Sequence, residues 1–155
     1  MKKYLQKKLN NEKGMTLIEL LAVIVIIAII AAIAIPAIGN IIENSRYSAV
    51  KSDALNALAA ANIYYTENPQ DVDGVTIKEL ADAGYLESQG KLLDANSIVN
   101  ATDGLELTTG AIKFSGNKAV TFDDATIEGI NANTTKGSEV PATGVVIGTQ
   151  PEATT

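Results

Sequence analysis

The sequence predicts an α+β protein: one long N-terminal α-helix, apolar in its first half and amphipathic in its second, packed on a small antiparallel β-sheet. Three observations predict it. Leu20–Ile42 carries no charged residue and consists mostly of Ile, Val, Leu and Ala. Tyr47, Val50, Ala54, Ala57, Leu58, Ala61 and Tyr65 then recur at helical spacing, with Lys51, Asp53 and Asn56 turned elsewhere. Beyond Asn68 the apolar residues fall into short stretches that alternate with polar ones, the period of half-buried strands.

The first fourteen residues hold Lys2, Lys3, Lys7, Lys8 and Lys13 against Glu12, a charge of +4. The whole chain carries −6, so residues 15–155 carry −10. A basic leader thus precedes an acidic body, and an acidic body disfavours direct binding to nucleic-acid phosphates. The chain has no cysteine and no histidine. That excludes a thiol nucleophile, a disulfide framework, a thiolate zinc site and a histidine general base. No phosphate-cradling glycine loop is present and no cofactor is expected, so the sequence does not read as an enzyme.

Three readings compete for residues 1–42. A secretory signal peptide fits the basic start, but its apolar stretch is shorter than this one and has no place for Glu19. A plain single-pass anchor fits the length, since the 23 uncharged residues of Leu20–Ile42 rise about 35 Å as a helix and a hydrocarbon core is about 30 Å thick. Its lysines stay cytoplasmic by the positive-inside rule. The third reading rests on Glu12-Lys13-Gly14-Met15-Thr16-Leu17-Ile18-Glu19-Leu20-Leu21, which resembles the leader junction of type IV prepilins.

That resemblance implies cleavage by a prepilin peptidase between Gly14 and Met15, with Met15 becoming the methylated N-terminus. Glycine suits a scissile bond because it has no side chain to obstruct the backbone. The family usually has Phe where this chain has Met15. Glu19 separates the readings, because a carboxylate among apolar residues at membrane depth costs about 2.5–3.5 kcal/mol and needs a partner. In the family the matching glutamate neutralises the N-terminal amine of a neighbouring subunit. The bland alternative is a carboxylate complementing its own helix dipole. Pro36 removes a helix hydrogen bond and predicts a kink, at a place where pilins commonly have a proline. Gly39 adds local freedom.

The resemblance further implies a homo-oligomeric helical filament, an assembly ATPase and a platform membrane protein as partners. The expected location is the cell membrane before assembly and the cell surface afterwards. A surface pilus, a competence pseudopilus for DNA uptake and a type II secretion pseudopilus all share this junction. The missing cysteines and short body point to a Gram-positive cell, which disfavours the secretion option.

The remaining elements follow from local signals. A single helix is expected over Met15–Glu67, ended by Asn68-Pro69. Asn68–Val75 reads as a solvated acidic turn, since Asp71-Val-Asp73-Gly74 fails the spacing of a calcium loop. Thr76-Ile-Lys-Glu79 has the capping-box form and Gly84 suits a helix C-terminus, which predicts a short helix over Thr76–Ala83. Strands are expected at Leu105–Thr108, Ala111–Phe114, Ala119–Phe122 and Thr126–Ile130, with Ser115–Lys118 as a turn and Val145–Ile147 as an edge strand. Asn100-Ala-Thr102 and Asn133-Thr-Thr135 match a glycosylation sequon of low specificity, and Asp123-Asp124 is a weak metal candidate. The expected organisation is a leader at 1–14, an apolar transmembrane and filament-core helix at 15–42, its amphipathic continuation at 43–67, a globular domain at 68–130 and a polar, flexible segment at 131–155.

Overall fold

The computed structural model describes residues 2–71, 74–92, 96–101 and 104–148, with the side chains of residues 2–15 outside that description. It divides into a first unit, Met1–Asn40, and a second, Ile41–Thr155. The elements are α1 (Lys2–Glu67), β1 (Val75–Thr76), α2 (Ile77–Asp82), β2 (Ile98–Asn100), β3 (Glu106–Thr108), β4 (Ile112–Ser115), β5 (Lys118–Asp123), α3 (Ile127–Ala132) and β6 (Val145–Gly148). The class is α+β, as the sequence predicts. Helix α1 starts earlier than the expected Met15, taking in the basic residues from Lys2 onward, and ends at the expected Glu67.

In the second unit α1 buries one face. Tyr47, Val50, Ala54, Ala57, Leu58 and Ala61 are each at most 2% exposed, and Ala60 joins them. The small residues at 54, 57, 60 and 61 together with Leu58 make up the buried stripe of the helix. The opposing side of the core comes from Val99, Leu107, Phe114, Val120, Phe122, Ile130, Val140 and Ile147. Tyr47 packs against Phe114 with ring centroids 5.2 Å apart and the ring planes tilted by 56°.

Helix α2 forms as its sequence predicts. Glu79 N donates to Thr76 Oγ1 at 3.2 Å and Thr76 N donates to Glu79 Oε2 at 2.9 Å, closing the capping box. These bonds to the Thr76 backbone and hydroxyl hold the Glu79 carboxyl below its usual range. At the other end Gly84 takes φ +84°, and Tyr85 N and Leu86 N return to the carbonyl of Leu80. The end of α1 is closed by tyrosines. Tyr64 packs edge-on against Tyr65 and Tyr85, and its hydroxyl donates to Asp71 while that of Tyr85 donates to Glu67. Tyr65 donates to the carbonyl of Val99 and accepts from Val75 N, which joins α1 to β1 and β2.

The sheet departs from expectation. In place of one antiparallel sheet of three or four strands, there are two three-stranded sheets, ordered β1-β2-β3 and β4-β5-β6. The first is antiparallel throughout. In the second, β4 and β5 pair antiparallel around the expected turn, whereas β6 pairs parallel to β5 from Val120–Val145 to Asp123–Gly148. The expected edge strand is thus present, and the chain between β5 and β6 reverses it. A bridge between Leu107 and Ala125 and a bond from Thr109 N to Phe122 O connect the two sheets.

Thr126–Ile130, expected as a strand, is helical. Thr126 caps α3 by accepting from Gly129 N at 3.1 Å, and Ile127 and Ile130 stand three apart, the spacing of a helix turn. The strands β1 and β2 are too short for an alternation signal, and the sequence does not announce them. Where composition predicts a loose segment from Asn131, the described residues up to Gly148 place Val140 and Ile147 in the core at 2% and 3% exposure. Isolated apolar anchors, backbone turns such as Glu139 N to Lys136 O and Gly144 N to Pro141 O, and the β5–β6 pairing together seat this polar stretch.

Candidate processing and assembly segment

Gly14, Met15, Glu19 and Pro36 all lie within α1. Gly14 and Met15 belong to the part of α1 that is described by its backbone alone. Glu19 is exposed, and its neighbours Leu17, Ile18, Leu20 and Leu21 are 56–66% exposed. Among the described residues the ion pairs are Lys78–Asp82, Lys118–Glu43 and Lys136–Glu139, so Glu19 is in none of them. Pro36 sits inside the helix, where it lacks the N–H that would meet the carbonyl of Ala32. Nothing stands within 4 Å of a Cβ built on Gly39.

From Leu17 to Ile42 every large apolar side chain is exposed, between 44% and 72%. The stretch is long and apolar enough to cross a membrane. In water such a surface is far larger than the apolar patch a soluble monomer carries. The chemistry of the segment is therefore that of burial against lipid or against another apolar helix, together with one carboxylate five residues past Gly14.

The weaker candidates fall to structural roles. Asp124 takes φ +48° and its Oδ1 accepts from Thr108 Oγ1 at 2.9 Å, so its carboxylate shapes the turn after β5. Asp71 is engaged by Tyr64; Val72 and Asp73 lie outside the described residues, as does Thr102 of the first sequon. In the second, Asn133 accepts from the Tyr47 hydroxyl at 2.9 Å. One group that sequence reasoning passes over is Glu43, which pairs with Lys118 at 2.8 Å with both side chains about three-quarters buried. Its signal was its position, as the first charge after the apolar run.

The geometry defines an unburied apolar helix that follows a basic segment and carries a glutamate near its start. Residues 9–35 match the prokaryotic N-terminal methylation motif. The chain carries a type IV pilin-like prepilin segment, which supports a pilin- or pseudopilin-like precursor. Such a segment implies processing by a prepilin peptidase and assembly into a filament. No curated protein and no solved structure gives a match.

Proposed function

We propose that this chain is the structural subunit of a type IV pilus-like extracytoplasmic filament. The observation that carries the reading is the coincidence of the methylation motif at residues 9–35 with side chains from Leu17 to Ile42 that all remain exposed. Cleavage between Gly14 and Met15 removes the +4 leader, and methylation falls on Met15. The new amine is the cation that Glu19 of a neighbouring subunit pairs with. Residues 15–42 first anchor the subunit in the membrane and then pack at the filament centre, where Ala28, Ala31, Ala32, Ala34 and Ala37 permit close approach. Pro36 loosens that helix. Identical subunits added head to tail make a contact that never closes, which is the geometry of a filament. An assembly ATPase and a platform membrane protein supply the work, since the subunit itself carries no catalytic constellation in its sequence.

Mass spectrometry of the N-terminus of surface-sheared material tests this. A chain beginning at methylated Met15 is expected, and intact Met1 would return the protein to a plain anchor. Gly14→Ala is expected to block maturation; Glu19→Ala is expected to leave maturation intact and to cut filament yield. Normal filaments from Glu19→Ala without wild-type subunit would overturn the pairing role.

A further inference from the structure

After α3 the chain runs through Asn133–Ser138 without regular secondary structure. Its composition is polar, yet it is tied along the turns of α1 that open the second unit. The Tyr47 hydroxyl donates to Asn133 Oδ1 at 2.9 Å, and Lys51 Nζ donates to the Asn133 carbonyl at 2.7 Å. Ser138 N donates to Asn44 Oδ1 at 2.8 Å. Between these points Gly137 is buried, and a Cβ there would overlap the Glu43 carbonyl and Tyr47 Cβ. The contacts run in order: Asn133 meets Tyr47 and Lys51, and Gly137 and Ser138 meet Glu43 and Asn44. The segment therefore lies antiparallel to the helix.

A third element fastens the arrangement. Lys118, the first residue of β5, donates from Nζ to Glu43 Oε2 at 2.8 Å, to Ser138 O at 2.9 Å and to Gly137 O at 3.4 Å. Three acceptors match the three protons of an ammonium group. Ser115, across the β4–β5 turn, donates to Glu43 Oε1 at 3.1 Å. Lys118 and Glu43 are 22% and 26% exposed, so the pair is shielded beyond what an open surface pair allows. Lys118 foremost, helped by Ser115 and by the Arg46 charge, holds the Glu43 carboxyl below its usual range.

We infer that Asn133–Ser138 is a strap that locks the first turns of α1 in the second unit, and that the Glu43–Lys118 pair is the catch that holds it shut. The strap touches the helix through polar bonds, each of modest net strength, while the sheets beside it are held by a continuous apolar core. Removing either charge leaves the other, about three-quarters buried, without its partner, which favours opening. Strap and helix turns then open together as a local unit, with the sheets still folded. Residues 43–51 gain a way to change their seat without unfolding of the body.

Amide hydrogen exchange on the full chain in detergent micelles reads this without any filament, so its outcome is separate from that of the assembly reading. In Lys118→Met, exchange over residues 43–51 and 133–139 is expected to accelerate about tenfold, with the amides of Val99 and Leu107 unchanged. Lys118→Arg, which keeps the donating cation against Glu43 and the strap carbonyls, is expected to retain much of the protection. Unchanged exchange over the strap, or acceleration spread evenly over the second unit, would overturn the proposal. If Lys118→Met does not fold, Asn44→Ala removes only the acceptor of Ser138 N–H. Faster exchange over both 43–51 and the strap supports the shared lock, and a change confined to Ser138 sinks it.

Discussion

Helix α1 has two stretches of the same secondary structure and opposite surroundings. In the first unit Ile33 is 72% exposed, and in the second Leu58 is 0% exposed. Both are aliphatic residues in a helix, so propensity does not separate them. What separates them is the partner. From Tyr47 onward apolar residues occupy one stripe, which the strands cover; before Ile42 they occupy every face, which no single sheet can cover. A stripe asks for a body, and a fully apolar helix asks for a solvent or for copies of itself.

The comparison can be broken most directly by truncation. Leu58→Ala is expected to destabilise the second unit by about 2–5 kcal/mol through lost burial and a cavity. Ile33→Ala is expected to stay within about 0.5 kcal/mol by the same measure, urea unfolding in micelles followed by tyrosine near-UV dichroism. Equal losses would show that the first stretch is packed within the subunit after all. A smaller effect tests how local signals act within the buried half. Thr76→Ala is expected to cost about 0.5–2 kcal/mol by opening the α2 capping box, and no change in the urea midpoint would count against that bond pair.

The smallest effect concerns the far end of α1. Its bond to Asp71, assisted by burial and by the Asp71 charge, pushes the Tyr64 hydroxyl up to about 12. The raised value favours the neutral phenol in the folded state. That contribution to stability is therefore complete below the ordinary tyrosine value near 10 and is lost as pH rises from there through about 12. Absorbance titration at high pH should place Tyr64 among the late tyrosines, beside the raised Tyr47 and Tyr85, with Asp71→Ala moving it earlier; titration of all tyrosines together near the ordinary value would refute the contact.

Several features were legible before any fold was known. The capping residues Thr76 and Glu79 and the terminating Gly84 act within one turn of backbone, so their pattern predicts α2 without reference to the rest of the chain. The stripe from Tyr47 to Ala61 was legible because helical spacing repeats over several turns. Thr126–Ile130 was misread because five residues rich in β-branched side chains fit a strand as well as a capped helix. The parallel pairing of β6 could not be read from Val145–Ile147, since orientation depends on the path taken by the chain before it.

By itself the sequence determined the local and compositional facts: the charge step at Gly14, the apolar run, the lone Glu19 and the capped helix α2. These depend on residues within a few positions of one another, or on an average over one stretch. Only the tertiary structure decided the two sheets, the seating of the polar segment from Asn133 to Ser138 and the pairing of Glu43 with Lys118. Those partners stand 75 positions apart, and no local pattern encodes which distant charge a carboxylate will meet. The path of the chain from the end of α1 through β1 to β4 brings them together, and the apolar core holds the meeting in place.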